Sequence, residues 1–337
     1  MREWTLRIAQ DTHVTSTAES PAQSQAPSDM ASPEESRKGT LYGFLAYASW
    51  GLLPIYFHSL EPSSAIEILV HRVVWSLVFC LALGAIVGDR SWVPLLRDTR
   101  RLLILGTAAV ILGINWGIYI YAVTTDNVVE SSLGYFINPI ILVLMGVLLL
   151  HERLRPLQWA AIGLATVAVA VIAVDYGRLP WIALSLAFTF ATYGYIKKHV
   201  GASIDALPSM TIETVVLAPF ALIAIIWIEL SGNGTFLSAG AGHTAMLLTT
   251  GVVTAVPLIL FAAAARRVTL VTMGLLQFLA PVLQFITGVF ILGEDVPPSR
   301  WIGFGFVWVA LVLLATDMIR STQANRRLRL QGKPASA

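Results

Sequence analysis

The chain has 337 residues, of which 56% are hydrophobic and only 12% are charged. An average soluble domain carries about 25% charged residues, so the composition excludes a soluble globular protein and indicates an integral membrane protein. The net charge of +2 excludes nothing by itself. The single cysteine, Cys80, lies in an apolar run, which excludes an intramolecular disulfide and predicts a small buried side chain.

The first 38 residues form a polar segment, rich in Ser, Ala, Pro, Gln and Glu, that contains no apolar run. Such a composition cannot bury enough surface to become ordered, and the apolar middle region of a secretory signal peptide is missing. We therefore predict a disordered cytoplasmic tail over residues 1–38. Residues 320–337 are predicted to form a basic cytoplasmic tail at the other end of the chain.

Ten apolar segments follow the first tail, and each is long enough to cross the hydrocarbon core of a membrane at about 1.5 Å per residue. Pro and Gly residues fall in the short connections between them. These segments predict an all-α integral membrane protein with ten transmembrane helices. The predicted spans are 40–58, 65–88, 101–123, 128–150, 156–175, 179–196, 208–230, 243–264, 270–292 and 299–319.

The basic residues are strongly biased to one side of this arrangement. If Lys and Arg are assigned to the tails and connections, 19 of the 22 fall on the side of both termini. Only Arg178 and Arg300 fall on the other side, and Arg72 lies inside a span. Because basic residues near the ends of spans stay in the cytoplasm, we predict that both termini are cytoplasmic.

The chain also matches itself at a shift of 142 residues, which places the stretch 132–159 within 272–301. Each copy is an apolar span with a proline in its middle and an acidic residue at its end. The paired positions are Pro139 and Pro281, Gly146 and Gly288, Glu152 and Glu294, and Trp159 and Trp301. Two similar halves within a membrane are typical of secondary transporters.

Each half contains five spans, and five is an odd number, so the second half must enter the membrane in the opposite orientation. We predict a first five-helix repeat over residues 39–175 and a second, inverted repeat over residues 179–319. A substrate site is then expected near the midplane between the halves. The alternative, a chance match of Gly and Pro in apolar sequence, does not account for the charge bias.

The sequence contains no enzyme signature. There is no Walker A motif, and the segment that begins at His151 lacks the second histidine of a zinc-protease motif. No Cys and His residues have the spacing of metal ligands. We therefore predict neither catalytic residues nor a metal or cofactor, and the expected partners are a small-molecule substrate and the lipid bilayer, not nucleic acid. A homodimer is left open.

Charged and titratable residues inside spans are costly unless they are paired or used. Arg72 lies about 12 Å into the second span, and burying it costs at least about 2.5–3.5 kcal/mol. Glu67 and His71 lie four residues apart on one helix face, and Glu67 is expected to pair with a neighbouring basic group. Glu213, which matches His71 at the 142-residue shift, is expected to pair across the halves or to carry a proton. These residues predict an ion-paired gate or a proton-linked switch, with a purely structural ion pair as the alternative.

Amide side chains and prolines lie near the middle of several spans. Prolines inside helices release backbone carbonyls, which must face protein or a wet cavity. We predict helix breaks at Pro139, Pro257 and Pro281. The amides near them are Asn115, Asn138, Gln277 and Gln284. Together they predict a central cavity lined by spans 3, 4, 8 and 9, whereas the structural alternative for each amide is a bond between helices worth about 0.6 kcal/mol.

Aromatic residues gather in the same spans, and we predict that they line the cavity. They are Trp50, Trp116, Tyr119, Tyr135 and Tyr193, with Tyr47 beside them. A mostly neutral cavity of this kind suits a small amphipathic or aromatic solute, including a cationic one. The alternative for any single ring is ordinary packing.

Eight motifs, in chain order, carry a resemblance to a known family. They are AYASWGLLPIYF, IEILVHRVVWS, NWGIYIYAV, ESSLGYFINP, LSLAFTFATYGYIKK, TIETVVLAP, GVVTAVPLILFAAAARR and LLQFLAP with GVFILGE. The chain resembles the EamA branch of the drug/metabolite transporter superfamily from about Thr40 to Arg320, and within that branch a group linked to chloramphenicol sensitivity. The long N-terminal segment departs from the short start that is usual in this group.

The resemblance implies a fold of ten helices in two inverted five-helix repeats and a location in the bacterial inner membrane. It also implies that spans 1, 3, 4, 6, 8 and 9 line the substrate cavity. The residues placed near substrate in this way are Trp50, Asn115, Trp116, Tyr135, Asn138, Tyr193 and Gln277.

The function expected from the sequence is that of a secondary transporter. It would move small organic solutes or drugs across the inner membrane by alternating access, with proton coupling as an option. The first alternative is a permease of the same fold for one metabolite, such as an amino acid or a nucleoside. A receptor or scaffold without transport is a less favoured alternative, and an intramembrane enzyme is disfavoured. Substrate, direction and coupling ion are left open.

Overall fold

A computed structural model of the chain describes residues 33–150, 154–200, 204–265, 267–268 and 270–330. Within these ranges the regular structure is entirely helical. The helices are α1 (Pro33–His58), α2 (Ala65–Val87), α3 (Trp92–Leu95), α4 (Thr99–Thr124), α5 (Val128–Leu150), α6 (Pro156–Tyr176), α7 (Trp181–Val200), α8 (Ala206–Leu230), α9 (Ala241–Ala265), α10 (Leu270–Leu276), α11 (Leu279–Ile286) and α12 (Pro298–Leu330). A π-helical segment, Thr287–Ile291, continues α11.

Each predicted apolar segment lies on helical residues, and the last-but-one segment is divided between α10, α11 and the π-helical segment. Eight helical segments in the described chain are long and apolar enough to cross a membrane. Helices α1 and α7 are not among these eight, since both interleave Tyr, Ser and Thr with their apolar residues. The protein is therefore a multi-pass, all-helical membrane protein.

The first helix begins earlier than the sequence predicted. Helix α1 starts at Pro33, so residues 33–38 are helical and the predicted disordered tail is wrong for these six residues. Proline is well suited to the first turn, and Glu34 pairs with Lys38 one turn later, with a nitrogen-to-oxygen distance of 2.8 Å. The rest of the predicted tail, residues 1–32, lies outside the described residues. At the other end α12 continues through the predicted basic tail as far as Leu330.

Corresponding helices of the two sequence copies run antiparallel where they meet. Asp175, at the end of α6, accepts a hydrogen bond of 2.6 Å from Nε of Arg300, in the first turn of α12. At the other end of this pair, Arg155 precedes α6 and lies 3.3 Å from Asp317, late in α12. Since α6 and α12 are related by the 142-residue shift, this equivalent pair of helices packs antiparallel.

Helices α2 and α8 repeat this arrangement. Cys80, late in α2, clusters with Met210, early in α8, whereas Val70, early in α2, clusters with Ile228, late in α8. The other contacts also occur in matching pairs: α1 packs on α9 and α11, and α7 packs on α4 and α5. The main helix contacts made by one half therefore have counterparts in the other.

Only one of the three predicted helix breaks is present. The helix is interrupted at residues 277–278, between α10 and α11. Pro281 is the third residue of α11, and its missing N–H cannot bond the carbonyl of Gln277. Pro139 and Pro257 lie inside the uninterrupted helices α5 and α9, so the breaks predicted there are wrong. Helix α5 is held by close packing, since a Cβ added at Gly134 would lie 2.7 Å from the carbonyl oxygen of Ala183 in α7.

Candidate substrate site

A buried arginine lies where helices of the two halves meet. Arg72, in the second turn of α2, is only 4% exposed. Its Nε donates a 2.8 Å hydrogen bond to the hydroxyl of Thr254 in α9. Its Cζ lies 4.1 Å from the ring centroid of Trp116 in α4 and 5.4 Å from that of Phe57 in α1. The guanidinium is therefore held by cation–π contacts and one hydroxyl.

Tyrosines extend this arrangement into the second half of the chain. The ring of Tyr119 lies 6.1 Å from that of Phe57, and Tyr135 in α5 lies 5.7 Å from Tyr119. Phe190 in α7 continues the series at 5.9 Å from Tyr135, and Tyr193 lies 6.2 Å further on. We call Phe57, Arg72, Trp116, Tyr119, Tyr135 and Thr254 the Arg72 cluster.

Two polar atoms of the Arg72 cluster are buried without a hydrogen-bond partner among the described residues. They are Nη1 of Arg72 and the hydroxyl of Tyr119. A buried polar group left unpaired costs about 1–3 kcal/mol, and more when it is charged. Trp116 and Tyr119 are both more than nine-tenths buried, so the cluster is packed and closed to solvent in this structure.

Both predicted asparagines bind the backbone of α7. Asn115 donates to the carbonyl of Leu186 at 3.1 Å and to the hydroxyl of Thr189 at 2.8 Å, and it accepts a hydrogen bond from Tyr135 at 3.3 Å. Asn138 donates to the carbonyl of Ala187 at 3.1 Å. Both asparagines therefore form the bonds between helices that were the alternative to a cavity lining. These bonds join α4 and α5 to α7.

Trp50 and Gln284 lie together in a second aromatic group. The Trp50 ring is 5.3 Å from Tyr47 and 5.7 Å from Phe261 in α9. Gln284 in α11 donates to the carbonyl of Trp50 at 3.2 Å, while its own Oε1 is buried without a partner in the described chain. Trp50 and Tyr135 pack against the same apolar core, so the two aromatic groups border one cluster. Gln277 is half-buried in the turn between α10 and α11.

The expected ion pair of Glu67 is not formed in the described part of the chain. Glu67 accepts a hydrogen bond of 2.6 Å from the backbone N–H of Thr235, in the connection after α8, and its second oxygen is buried without a partner. His71 stacks on Phe236 with 4.6 Å between ring centroids and accepts a hydrogen bond from the Trp75 indole. Glu67 and His71 therefore anchor the connection between α8 and α9, and they do not pair with Arg72.

Glu213 is paired within its own half, not across the halves. Its Oε1 lies 2.6 Å from Nζ of Lys197 in α7, and its Oε2 accepts a hydrogen bond from Tyr193 at 3.2 Å. Ser209, one turn earlier in α8, contacts both Lys197 and Glu213. Glu213 is only 4% exposed, so the pair is largely withdrawn from solvent.

A polar cleft of about 330 Å³ lies at a different level of the molecule, among the ends of α4 and α6 and the start of α12. Glu294 lines it, and both of its oxygens accept hydrogen bonds from the first turn of α5, from Val128 at 2.5 Å and Val129 at 2.8 Å. Burial raises the pKa of the Glu294 carboxyl. The cleft does not include the predicted substrate residues. Glu152, the counterpart of Glu294 in the first copy, lies outside the described residues.

Several residues of the site were not predicted from the sequence. Thr254 lies three residues before Pro257. A hydroxyl one turn from a proline in the middle of a span could have identified Thr254 as a candidate. Lys197 was read only as part of the charge bias. Phe57 and Phe190 carry no polar group, so nothing in the sequence separates them from ordinary core residues.

The helical membrane architecture and the buried polar cluster place the chain among polytopic membrane proteins of the transporter class. The sequence model of the EamA-like transporter family matches it twice, over residues 37–174 and 179–316. The chain belongs to this family and is a membrane transporter.

Individual proteins agree with that assignment. The chain is 50% identical to Protein RarD of Streptomyces exfoliatus, over 88% of this chain and 94% of that protein. It is 40% identical to an uncharacterized transporter of Pseudomonas aeruginosa, over 85% of this chain and 95% of that protein. A solved crystal structure superposes with a TM-score of 0.57 and 17% identity, over 84% of this chain and 98% of its own, which bears on the fold alone. The group that the sequence motifs implied is thereby confirmed.

Proposed function

We propose that the protein is a secondary transporter that moves small organic solutes across the membrane by alternating access. The observation that carries this proposal is the Arg72 cluster, because it brings together side chains of both halves around two buried polar atoms that have no hydrogen-bond partner in the described part of the chain. A receptor or scaffold has no need of such costly groups at its centre. Relative movement of the halves would open the closed cluster to one side and then to the other.

The same proposal includes ten transmembrane helices in two inverted five-helix repeats. The antiparallel pairing of α6 with α12 and of α2 with α8 supports it, since these helices are equivalent in the two copies. The side-to-side bias of Lys and Arg supports both termini in the cytoplasm. The bacterial relatives support a location in the bacterial inner membrane.

Solute flux in proteoliposomes tests this function. Purified protein is reconstituted and offered a broad panel of metabolites and antibiotics that includes chloramphenicol, with protein-free liposomes as the control. Protein-dependent flux of one or more solutes is expected. Flux confined to a single metabolite would favour a dedicated permease, and no flux for any solute would overturn the transporter proposal in favour of a scaffold.

Proton coupling is proposed to involve Glu213, because a buried carboxylate between a lysine and a tyrosine is placed to exchange a proton with them. An imposed pH gradient is expected to drive flux in the wild type. Glu213→Gln is expected to remove the response to the gradient while leaving the protein folded. Glu130→Gln, which alters another buried carboxylate, is the matched control and should keep the response. Normal gradient-driven flux in Glu213→Gln would reject this role, and flux that ignores the gradient in the wild type would reject proton coupling.

A further inference from the structure

We propose that Arg72 is the recognition site for an anionic group, and that the transported solutes include small aromatic carboxylates bound with their carboxylate on Arg72. This inference deepens the proposed transport function and rests on it. It assigns a charge to the solute, which the sequence leaves open.

The first argument is that Arg72 has no anionic partner among the residues that the structure describes. No carboxylate of the described residues lies within 4 Å of its guanidinium, whereas the arginines at positions 155, 178, 267 and 300 all pair with a carboxylate. Arg72 is also the most deeply buried of the five. A buried cation is normally paired or used, and here a hydroxyl and aromatic faces take the place of the counter-ion.

The second argument concerns the guanidinium nitrogen of Arg72 that lacks a hydrogen-bond acceptor. Nε is satisfied by Thr254, and the planar group lies against the Trp116 ring. Nη1 is buried and has no acceptor among the described side chains. The planar fork of a guanidinium matches a carboxylate with two parallel hydrogen bonds, and the unpaired Nη1 of Arg72 is placed to donate one of them.

The third argument concerns the rest of the solute. The Phe57 ring lies 5.4 Å from Cζ of Arg72, Tyr119 packs on Phe57, and Tyr135 packs on Tyr119. The Tyr119 hydroxyl adds a second unpaired donor. These groups favour an aromatic or flat apolar body next to the anionic group. A cationic solute is disfavoured, because its positive charge would be buried next to the positive guanidinium and repelled by it.

Three solutes with one skeleton test the inference directly. They are 3-phenylpropanoate, 3-phenylpropanamide and 3-phenylpropylamine, which differ only in an anionic, neutral or cationic end. Binding is measured as thermal stabilisation of the purified wild type over a range of concentrations, and transport as flux in proteoliposomes. The carboxylate is expected to bind about 10- to 100-fold more tightly than the amide, as for a hydrogen bond to a charged group, and the amine is expected to bind most weakly.

Variants then assign the preference to Arg72. Arg72→Gln should abolish the difference between carboxylate and amide, and Arg72→Lys should keep part of it, because lysine retains the charge without the planar fork. Arg155→Gln, which changes an arginine outside the Arg72 cluster, is the matched control and should keep the full preference.

The outcomes are distinguishable. Equal binding of all three solutes by the wild type, or a preference for the amine, overturns the inference even if Arg72→Gln fails to fold. A carboxylate preference that survives in Arg72→Gln overturns it as well, because the charge is then recognised elsewhere. If other members of the broad panel are carried but none of these three binds, the inference is overturned and the transport function stands. Absence of flux for every solute overturns both.

Discussion

At the scale of single residues, the polar groups inside this membrane protein fall into two kinds. Asn115 and Asn138 are satisfied by backbone carbonyls of α7 and hold helices together. Arg72 and Gln284 each keep one buried polar atom without a partner in the described chain. The two asparagines are therefore explained by their role in holding the fold together. Arg72 and Gln284 are the better candidates for contact with substrate.

The sequence identified Arg72 as the costliest residue, but the basic partner that it predicted for Glu67 is not found among the described residues. Glu67 precedes Arg72 by five residues, and at about 100° per residue the two side chains leave α2 on different faces. The backbone N–H of Thr235 donates a hydrogen bond to one oxygen of Glu67. The sequence could not predict that contact because it joins residues 168 positions apart.

A different ion pair gives a test at this scale. Glu130 is fully buried and accepts hydrogen bonds from Arg178 at 2.9 Å and from the Ile182 N–H at 3.1 Å, whereas Arg178 keeps 42% of its side chain exposed. Arg178→Gln leaves a buried carboxylate with one donor and should cost about 1–3 kcal/mol. Glu130→Gln leaves an exposed arginine that water can solvate and should cost less, about 0.5–1 kcal/mol. Thermal unfolding of both variants and of the double variant checks the order, and an equal or reversed order would contradict it.

At the scale of helices, the length of the apolar segments and the positions of Pro and Gly predicted where most helices lie, because both are features of the nearby sequence. Whether a proline interrupts its helix depends instead on the neighbouring helices. Pro281 follows an interruption, while Pro139 and Pro257 are accommodated in continuous helices. Neighbouring helices can supply the missing support, and the sequence does not say which neighbours are present.

Close approach of α2 and α9 gives a test at this scale. A Cβ added at Gly251 would lie 2.2 Å from the carbonyl oxygen of Trp75, so Gly251→Ala must push two backbones apart. The expected cost is about 1–3 kcal/mol of stability. Because Thr254 lies one turn further along α9 and binds Arg72, weaker solute binding is also expected.

Gly163→Ala in α6 is the matched control, since nothing lies within 4 Å of a Cβ at that position. It should leave stability unchanged or raise it by up to about 1 kcal/mol through helix propensity. Thermal stability in detergent is the measurement. Equal stability of the two alanine variants would show that the α2–α9 contact is not as tight as described.

At the scale of the whole molecule, the inverted arrangement can be tested with the equivalent positions Ser91 and Asn233, which lie 142 residues apart. Both are exposed in connections between helices. In a Cys80→Ala background, which removes the only cysteine, each is changed to cysteine and exposed to a membrane-impermeant maleimide. Ser91→Cys should react only from the cytoplasmic side and Asn233→Cys only from the opposite side. Labelling of both from one side would rule out an inverted topology.

The sequence by itself determined the membrane class, the family, most of the helical segments and the repeat, because hydropathy, charge bias and self-similarity are properties of composition and order. Only the tertiary structure decided which buried polar groups are paired. Thr254 reaches Arg72 across 182 positions and Gln284 reaches Trp50 across 234, and such contacts depend on how helices from both halves pack. The unpaired Nη1 of Arg72 follows from that packing. Neither the composition of α2 nor the spacing of its residues specifies which groups of other helices lie next to that atom.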